Sequence, residues 1–363
     1  MPPTGKLTPE AFAALIAPHL GAARPEVLVG PRPGCDSAIL RVGADRVLAV
    51  TADPLSLIPA LGPEASARLA CRLIASDLWT TGIAPQFATV SLHLPPGMDD
   101  ATLGAYTRAM SEEWQKLGVA VVAGHTGRYE GCDLTIVGAA TLMGLGDEGS
   151  WLAPSLASPG DRVVVTRGCA IEATAVAARL FPRRLAAKLA ELDAAGAVPG
   201  GAEAAFERAR ELLEQVSVVP DCRAILRAGV RAQGVTALHD ATEGGVLGGL
   251  VELASACGHD LRIRRAAIPL SPEARAACEV FNIDPWWTLS EGTLIACTHP
   301  TRLDAALAEL AHDQIPAAEV GEVVEGSGGV TLLEPDGQET RLDHAQPDPY
   351  WDAYARAVRE VWE

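Results

Sequence analysis

Residues Gly234 to Gly249 read GVTALHDATEGGVLGG. Val235 to Leu238 is a short apolar run of strand character. It passes directly into His239-Asp240, then Thr242-Glu243 and the pair Gly244-Gly245. Beyond the pair, Val246, Leu247, Leu250, Val251, Leu253 and Ala254 recur at helical spacing. A strand that turns through glycines into a helix points unsatisfied N–H groups and a positive dipole end at one spot. That arrangement suits an anion, most often a phosphate. Glycine lets backbone approach a ligand with no Cβ in the way. The same turn could serve tight packing alone. The acidic and hydroxyl residues beside it favour a site, because an acidic phosphate site calls for a divalent cation between the charges.

Outward from this turn, the second half of the chain alternates strands and helices. Asp161 to Thr166, Leu261 to Ile263, Thr293 to Thr298, Glu319 to Val324 and Val330 to Leu333 read as strands. Helices are expected near 170–180, through 183–232 and near 272–280, so this half reads as an α/β domain. The tail from Pro347 to Glu363 reads as a last amphipathic helix carrying Tyr350, Tyr354, Val358 and Trp362. The first half opens on an amphipathic helix with Phe12, Leu15, Ile16 and Leu20, which Thr8 caps and Pro9 starts. Strands over 37–42 and 46–52 follow, then a helix over 64–79, a strand over 86–94 and a helix over 99–117. A buried strand over 119–123, ending at Gly124-His125-Thr126-Gly127, precedes a strand over 134–143. The order ββαβαββ predicts a mixed or antiparallel sheet with helices on one face, an α+β unit. The Gly-, Ser- and Pro-rich stretch over 144–160 marks the boundary. The chain is thus divided into domains over 1–150 and 151–346 with a terminal helix over 347–363.

The 363 residues suffice for two cores, and 48% hydrophobic with 21% charged residues is ordinary for a soluble globular protein. The formal net charge of −17 argues against a nucleic-acid binder, which would show a basic face. Eight scattered cysteines with no C-x-x-C pair suggest reduced, buried thiols. No apolar run reaches transmembrane length and no secretory leader is visible, so a cytoplasmic protein with no membrane partner is expected.

Three acidic residues stand at the ends of elements in the first half. Asp36 precedes a strand, Asp53 ends the next one, and Asp77 lies late in a helix, where the dipole disfavours an anion. Asp77 therefore calls for a compensating partner, and a shared metal would be one. Each alone reads first as a solvated cap or turn residue. Together with Gly124, His125 and Thr126 they fit a Mg²⁺–triphosphate site. In the second half, Thr242-Glu243-Gly244-Gly245 and Ser290-Glu291-Gly292 together suggest one pocket. Glu172, at a helix start, reads as favouring the dipole, and Trp286-Trp287 as packing.

In order, Gly34-x-Asp36-Ser37-Ala38, Thr51-x-Asp53-Pro54, Ser76-Asp77-Leu78, Gly124-His125-Thr126, His239-Asp240-x-Thr242-Glu243-Gly244-Gly245 and Ser290-Glu291-Gly292 resemble the aminoimidazole ribonucleotide synthetase superfamily. Its members include thiamine-monophosphate kinase, selenophosphate synthetase, formylglycinamide ribonucleotide amidotransferase and the hydrogenase-maturation dehydratase. The similarity runs from about residue 30 to 335. It implies a two-domain fold whose N-terminal α+β domain completes an intersubunit β-barrel in a homodimer, with ATP and Mg²⁺ as cofactors. It also implies that Asp36, Asp53 and Asp77 hold magnesium on the phosphates and that Gly124, His125 and Thr126 contact the nucleotide. Thr242, Gly244 and Gly245 then form the glycine-rich turn, and Asp240, Glu243 and Glu291 act on a small-molecule acceptor. The implied reaction is phosphoryl transfer from ATP to an amide or carbonyl oxygen, or to a phosphate acceptor.

The chain departs from the family pattern at Cys35, where many members carry an acid, and at His125, where thiamine-monophosphate kinases and maturation dehydratases usually have Asp. Its last residues, Val361-Trp362-Glu363, include no cysteine to accept a carbamoyl group, and no cysteine-bearing glycine loop with a reactive Lys precedes the first strand. The expectation is therefore neither the dehydratase reaction nor selenophosphate synthesis. The alternatives are a non-catalytic, nucleotide-binding regulatory homologue and a thiamine-monophosphate kinase-like enzyme.

Overall fold

The structure, a computed structural model, describes residues 6–360. Trp362 and the end of the tail lie outside them. Near the N-terminus, Thr8 Oγ1 accepts the Ala11 N–H at 3.2 Å and starts helix α1 (Pro9–Leu15), which buries none of its residues. The chain divides into two compact units, a smaller one of residues 24–31 and 36–151, and a larger one built from 6–23, 32–35 and 152–360 among those described.

The smaller unit contains β1 (Val27–Val29), β2 (Ala38–Arg41), β3 (Arg46–Ser56), α2 (Pro63–Trp79), β4 (Phe87–Leu94), α3 (Asp100–Leu117), β5 (Ala120–Arg128) and β6 (Ile136–Asp147). These strands form one mixed sheet in the order β1-β2-β3-β6-β4-β5, with β4 and β5 parallel and the other pairs antiparallel. The expected ββαβαββ order is present, preceded by the short β1. Helix α2 buries Ala67, Ala70, Cys71, Ile74 and Leu78 at helical spacing and packs on α3, β3 and β6. Asp99 caps α3, accepting the Thr102 N–H at 2.7 Å, and Gly118 ends it in the left-handed region.

Two expectations change here. β3 does not stop at Ala52: its ladder with β6 continues through Asp53↔Ala140 and Pro54↔Ala139 to Ser56. Asp53 therefore lies inside the strand. Proline is tolerated at residue 54 because β2 pairs only with Val47–Val50, leaving that edge of β3 open. Likewise β6 runs to Asp147, so the first residues of the 144–160 stretch are strand. Of the segment over 119–123, expected to be a buried strand, Val119 is buried but residues 120–123 belong to an exposed edge strand that runs on to Arg128.

The larger unit follows with β7 (Arg162–Thr166), α4 (Ile171–Leu180), α5 (Pro182–Ala194), α6 (Ala202–Glu211) and α7 (Val219–Ile225). Then come β8 (Val235–Ala241), α8 (Gly245–Cys257), β9 (Asp260–Arg264), α9 (Pro272–Phe281), β10 (Thr293–Thr298) and α10 (Leu303–His312). The unit ends with β11 (Ala317–Val324), β12 (Val330–Leu333), β13 (Glu339–Leu342) and α11 (Tyr350–Arg359). Its seven strands lie in the order β13-β12-β9-β11-β7-β10-β8. Only β9 and β12 pair in parallel, so this half is a mixed α+β unit and not the α/β domain expected. The core is built of Ala, Val and Leu around Phe181, Phe281 and Tyr350. Trp287 joins that core, while the Arg265 guanidinium lies 4.3 Å from the Trp286 ring centroid. The eight cysteines are free thiols. Among the described residues no helix is long and apolar enough to cross a membrane.

Candidate functional site

In the smaller unit, Thr51 links the main chain of Asp36 to the carboxylate of Asp77. Thr51 faces α2 from β3, and its Oγ1 lies 2.8 Å from the Asp36 carbonyl and 3.3 Å from Asp77 Oδ2. Asp77, in the last turn of α2, also receives Ser37 Oγ and Thr80 Oγ1 on its own carbonyl, at 3.0 and 2.7 Å. Asp53 follows Thr51 by two residues on β3, which places both on the same face. The Thr51 hydroxyl is one group that meets Asp77 against the helix dipole. Thr51 was legible only as the first residue of Thr51-Ala52-Asp53. Carboxylates, a main-chain carbonyl and a hydroxyl form a hard oxygen donor set, the kind that Mg²⁺ takes and soft metals do not.

Gly124, His125 and Thr126 are not a loop at a strand tip but the middle of β5. A Cβ on Gly124 would lie 2.3 Å from the Val90 carbonyl oxygen, so the close approach of β4 and β5 requires glycine there. The His125 ring hydrogen-bonds the Tyr129 hydroxyl and stacks on that ring, with centroids 6.1 Å apart. The same three residues, with Val90, Leu92, Thr107 and Met110, line an open cleft of about 450 Å³. Within this unit the sheet order puts β6 and β4 between β3 and β5. Three strand spacings, roughly 14 Å, separate the two groups. This chain does not bring its Gly124–Thr126 segment onto its own Asp53.

In the larger unit the quoted turn is rebuilt in one respect. His239 and Asp240 are not turn residues. The ladder between β8 and β10 continues through Ile295↔His239, Leu294↔Asp240 and Thr293↔Ala241, and both side chains are fully buried. The turn proper is Thr242 to Gly245. Gly245 has φ +65°, and a Cβ there would lie 2.6 Å from the Trp286 carbonyl and 2.7 Å from Thr288 N. The two glycine motifs are adjacent: the Ser290 N–H donates to the Thr242 carbonyl at 3.2 Å. Ser290 Oγ accepts the Ala170 N–H at 2.8 Å, which draws the start of α4 and Glu172 to the same place. Glu291 lies in the adjoining tight turn.

Several residues that sequence patterns did not single out converge on this turn. Asp348 accepts the Gly244 N–H at 2.9 Å and the Tyr350 N–H at 2.8 Å. Glu243 receives the Trp351 indole N–H at 3.2 Å and the Lys6 main-chain N–H at 3.0 Å. Lys6 Nζ donates to Thr242 Oγ1 at 2.7 Å, and His239 Nε2 lies 3.0 Å from Glu252 Oε2 on α8. Glu172 is buried, and that burial, with Asp348 and Glu243 nearby, pushes its carboxyl up to about 8. Burial likewise lifts Asp348 to about 6, against the hydrogen bonds from Tyr350 and Gly244, which lower it. The sequence signal for Glu172 was only its place in a first helical turn, and for Lys6 there was none.

Profiles of two families match the chain: the N-terminal domain of AIR synthase related proteins over residues 34–145, and the C-terminal domain of the same proteins over residues 158–333. The carbamoyl dehydratase HypE of Escherichia coli (strain K12) is 28% identical over 325 residues, covering 86% of this chain and 87% of that protein. The crystal structure of E. coli HypE, a hydrogenase maturation protein, superposes with a TM-score of 0.62 at 26% identity, over 83% of this chain and 87% of that one. Thiamine monophosphate kinase from Aquifex aeolicus shares the fold, with a TM-score of 0.60 at 20% identity over 84% and 92% of the two chains.

Proposed function

Because the chain belongs to the AIR synthase related family, we propose that it is an ATP- and Mg²⁺-dependent enzyme. It activates an amide or carbonyl oxygen of a small-molecule acceptor by phosphorylation, and it works as a homodimer. The observation that carries this reading is the Thr51 hydroxyl joining the Asp36 main chain to the Asp77 carboxylate, with Asp53 on the same strand face. The carbamoyl dehydratase named among its relatives supports the choice of a carbonyl oxygen.

Asp36, Asp53 and Asp77 would hold Mg²⁺, and Gly124, His125 and Thr126 would contact the nucleotide. ATP supplies the phosphoryl group when bound, and Mg²⁺ the charge neutralisation. Since β3 and β5 are separated by two strands within one subunit, the homodimer is the natural way to supply both groups to one nucleotide. Exposed apolar residues on the edge strand support that assembly and the intersubunit barrel. In the larger unit, Thr242, Gly244 and Gly245 would position the acceptor with Glu243 and Glu291. Asp240, buried in β8, would act from beneath the turn by fixing its charge. The domain limits proposed remain 1–150, 151–346 and 347–363.

One observation favours a second reading, a non-catalytic nucleotide-binding homologue. Cys35 stands where many family members carry an acid, and its Sγ accepts the Arg32 Nε–H at 3.1 Å. Isothermal titration with a non-hydrolysable ATP analogue, with and without Mg²⁺, tests both. Mg²⁺-dependent binding followed by ATP turnover with an amide acceptor is expected. Absence of binding would remove the enzyme reading, and binding without turnover across amide, phosphate and thiamine-phosphate acceptors would favour the second.

A further inference from the structure

Lys6 reaches the glycine turn from more than two hundred residues away in sequence. Its main-chain N–H donates to Glu243 Oε2 at 3.0 Å, and its ammonium donates to Thr242 Oγ1 at 2.7 Å and stands 3.9 Å from Glu252 Oε1. Apolar packing of this segment is slight, with Phe12 half-buried. Helix α1 buries none of its residues, and Leu7, Leu15 and Leu20 are at least half exposed. The segment is held to the larger unit by polar contacts at Lys6 and by the exposed pair of Glu10 and His344, 3.5 Å apart. Exposed ion pairs contribute little to stability. The Lys6 side chain is itself 48% exposed, so its ammonium can turn from Thr242 to an incoming oxygen.

Charge at the turn gives the contact its meaning. Glu243, Glu252, Asp348 and Glu172 all lie around it; burial and then Glu243 hold the Asp348 carboxyl above the usual range, and burial, Asp348 and Glu243 hold that of Glu172. With its carboxyl pushed up to about 8, Glu172 is largely neutral at pH 7, so a phosphate group approaching the turn meets the charges of Glu243, Glu252 and Asp348 and is repelled unless a cation meets it. The helix α8 N-terminus provides a partial positive charge, already shared with the Asp348 carboxylate on Gly244. A lysine ammonium adds a full one as a compact, mobile donor.

We infer that Lys6 is a positioning residue of this turn: it fixes Thr242 and Glu243 and brings its ammonium to an oxygen of a phosphate group taken there. The inference deepens the acceptor role given to the turn above, and it extends the site to a segment before the first strand.

Inorganic phosphate is the probe, titrated in the presence of Mg²⁺ by calorimetry and ³¹P line broadening into the full chain and its Lys6→Ala and Lys6→Arg variants. Loss of one charge-assisted hydrogen bond predicts about tenfold weaker phosphate binding in K6A. K6R is expected to recover most of the loss, with the unfolding midpoint of both variants unchanged. Equal phosphate affinity in K6A and the parent would overturn the inference. So would a drop in unfolding midpoint that accompanies the loss, or an absence of phosphate binding in the parent. None of these readouts uses ATP, so failure of the nucleotide reading and failure of this one are told apart.

Discussion

The Asp348 carboxylate sits on the Gly244 N–H at 2.9 Å, so the tail of the chain caps the turn that begins α8. The same carboxylate takes the Tyr350 N–H at 2.8 Å and so joins two helix starts. Replacing it by alanine leaves two amides without their acceptor in a largely buried setting. Asp348→Ala should therefore cost about 1–3 kcal/mol in denaturant unfolding at neutral pH. Asp348→Asn keeps one acceptor oxygen and should lose less. Equal losses in the two variants would show that the cap is not what matters.

Glu172 supplies a pH dependence whose sign is fixed by its surroundings. Its folded-state pKa, pushed up to about 8 by burial and then by Asp348 and Glu243, lies above that of an unfolded glutamate. The folded state thus holds a proton that the unfolded chain gives up, and stability falls as pH rises from the ordinary carboxylate range towards 8. Glu172→Gln cannot ionise, so its melting temperature should decline less between pH 5 and pH 8.5. At the alkaline end the variant should be the more stable protein. Parallel Tm profiles for the two proteins would show that Glu172 is not the group responsible.

Much of this architecture is legible because local patterns and tertiary contacts agree. The strand–turn–helix at Gly234–Gly249, the caps at Thr8 and Asp99, and β10 at Thr293–Thr298 follow from spacing and turn chemistry. Misreadings occur where a long-range partner decides. Asp53 and Asp240 looked like strand-end residues, but β6 and β10 carry their ladders further. The segment 119–123 looked buried because it is apolar, yet residues 120–123 lie on an exposed sheet edge, which no local pattern reveals. Lys6 and Asp348 reach the turn by chain closure alone, so nothing in their neighbourhoods announced them.

Gly245 and Gly248 offer a controlled comparison within one turn and helix. A side chain at residue 245 meets both a left-handed φ of +65° and main-chain atoms of Trp286 and Thr288 at 2.6 to 2.7 Å. At residue 248 the nearest atom is the Glu243 carbonyl at 3.4 Å, in a helical conformation. Gly245→Ala should destabilise by about 2–4 kcal/mol, combining backbone strain with a displaced 286–288 segment. Gly248→Ala should lie within about 1 kcal/mol of the parent, because helix propensity favours alanine. Chemical denaturation of both variants decides, and equal losses would mean that the turn tolerates a Cβ.

Variants of Thr51 and Asp53 test separately the positioning and the metal-holding roles proposed for them. Thr51→Val keeps shape but removes the hydroxyl that joins the Asp36 carbonyl and Asp77 Oδ2. It should weaken Mg²⁺-dependent binding of an ATP analogue and, because a part-buried acceptor loses the single hydroxyl donor, cost about 1 kcal/mol of stability. Asp53→Asn should abolish the Mg²⁺ dependence with a nearly unchanged melting temperature. Calorimetric titration with and without Mg²⁺ distinguishes the two, and unaltered nucleotide affinity in the Asp53 variant would remove that residue from the site.

Edge strand β5 carries the assembly prediction. Val121 and Val122 on edge strand β5 are 54% and 57% exposed, so apolar side chains face solvent on an open sheet edge. Such edges invite pairing with another chain unless a charge guards them. The parent should sediment as a dimer. Val122→Glu places a charge in the middle of this surface, and desolvating it in an interface would cost several kcal/mol. The variant should sediment as a monomer with an unchanged circular dichroism spectrum, and nucleotide binding should weaken with it if, as proposed, β3 and β5 of different subunits contribute to one nucleotide site. A variant that stays dimeric, or a monomer that binds the analogue as tightly as the parent, would break the link between assembly and the nucleotide site.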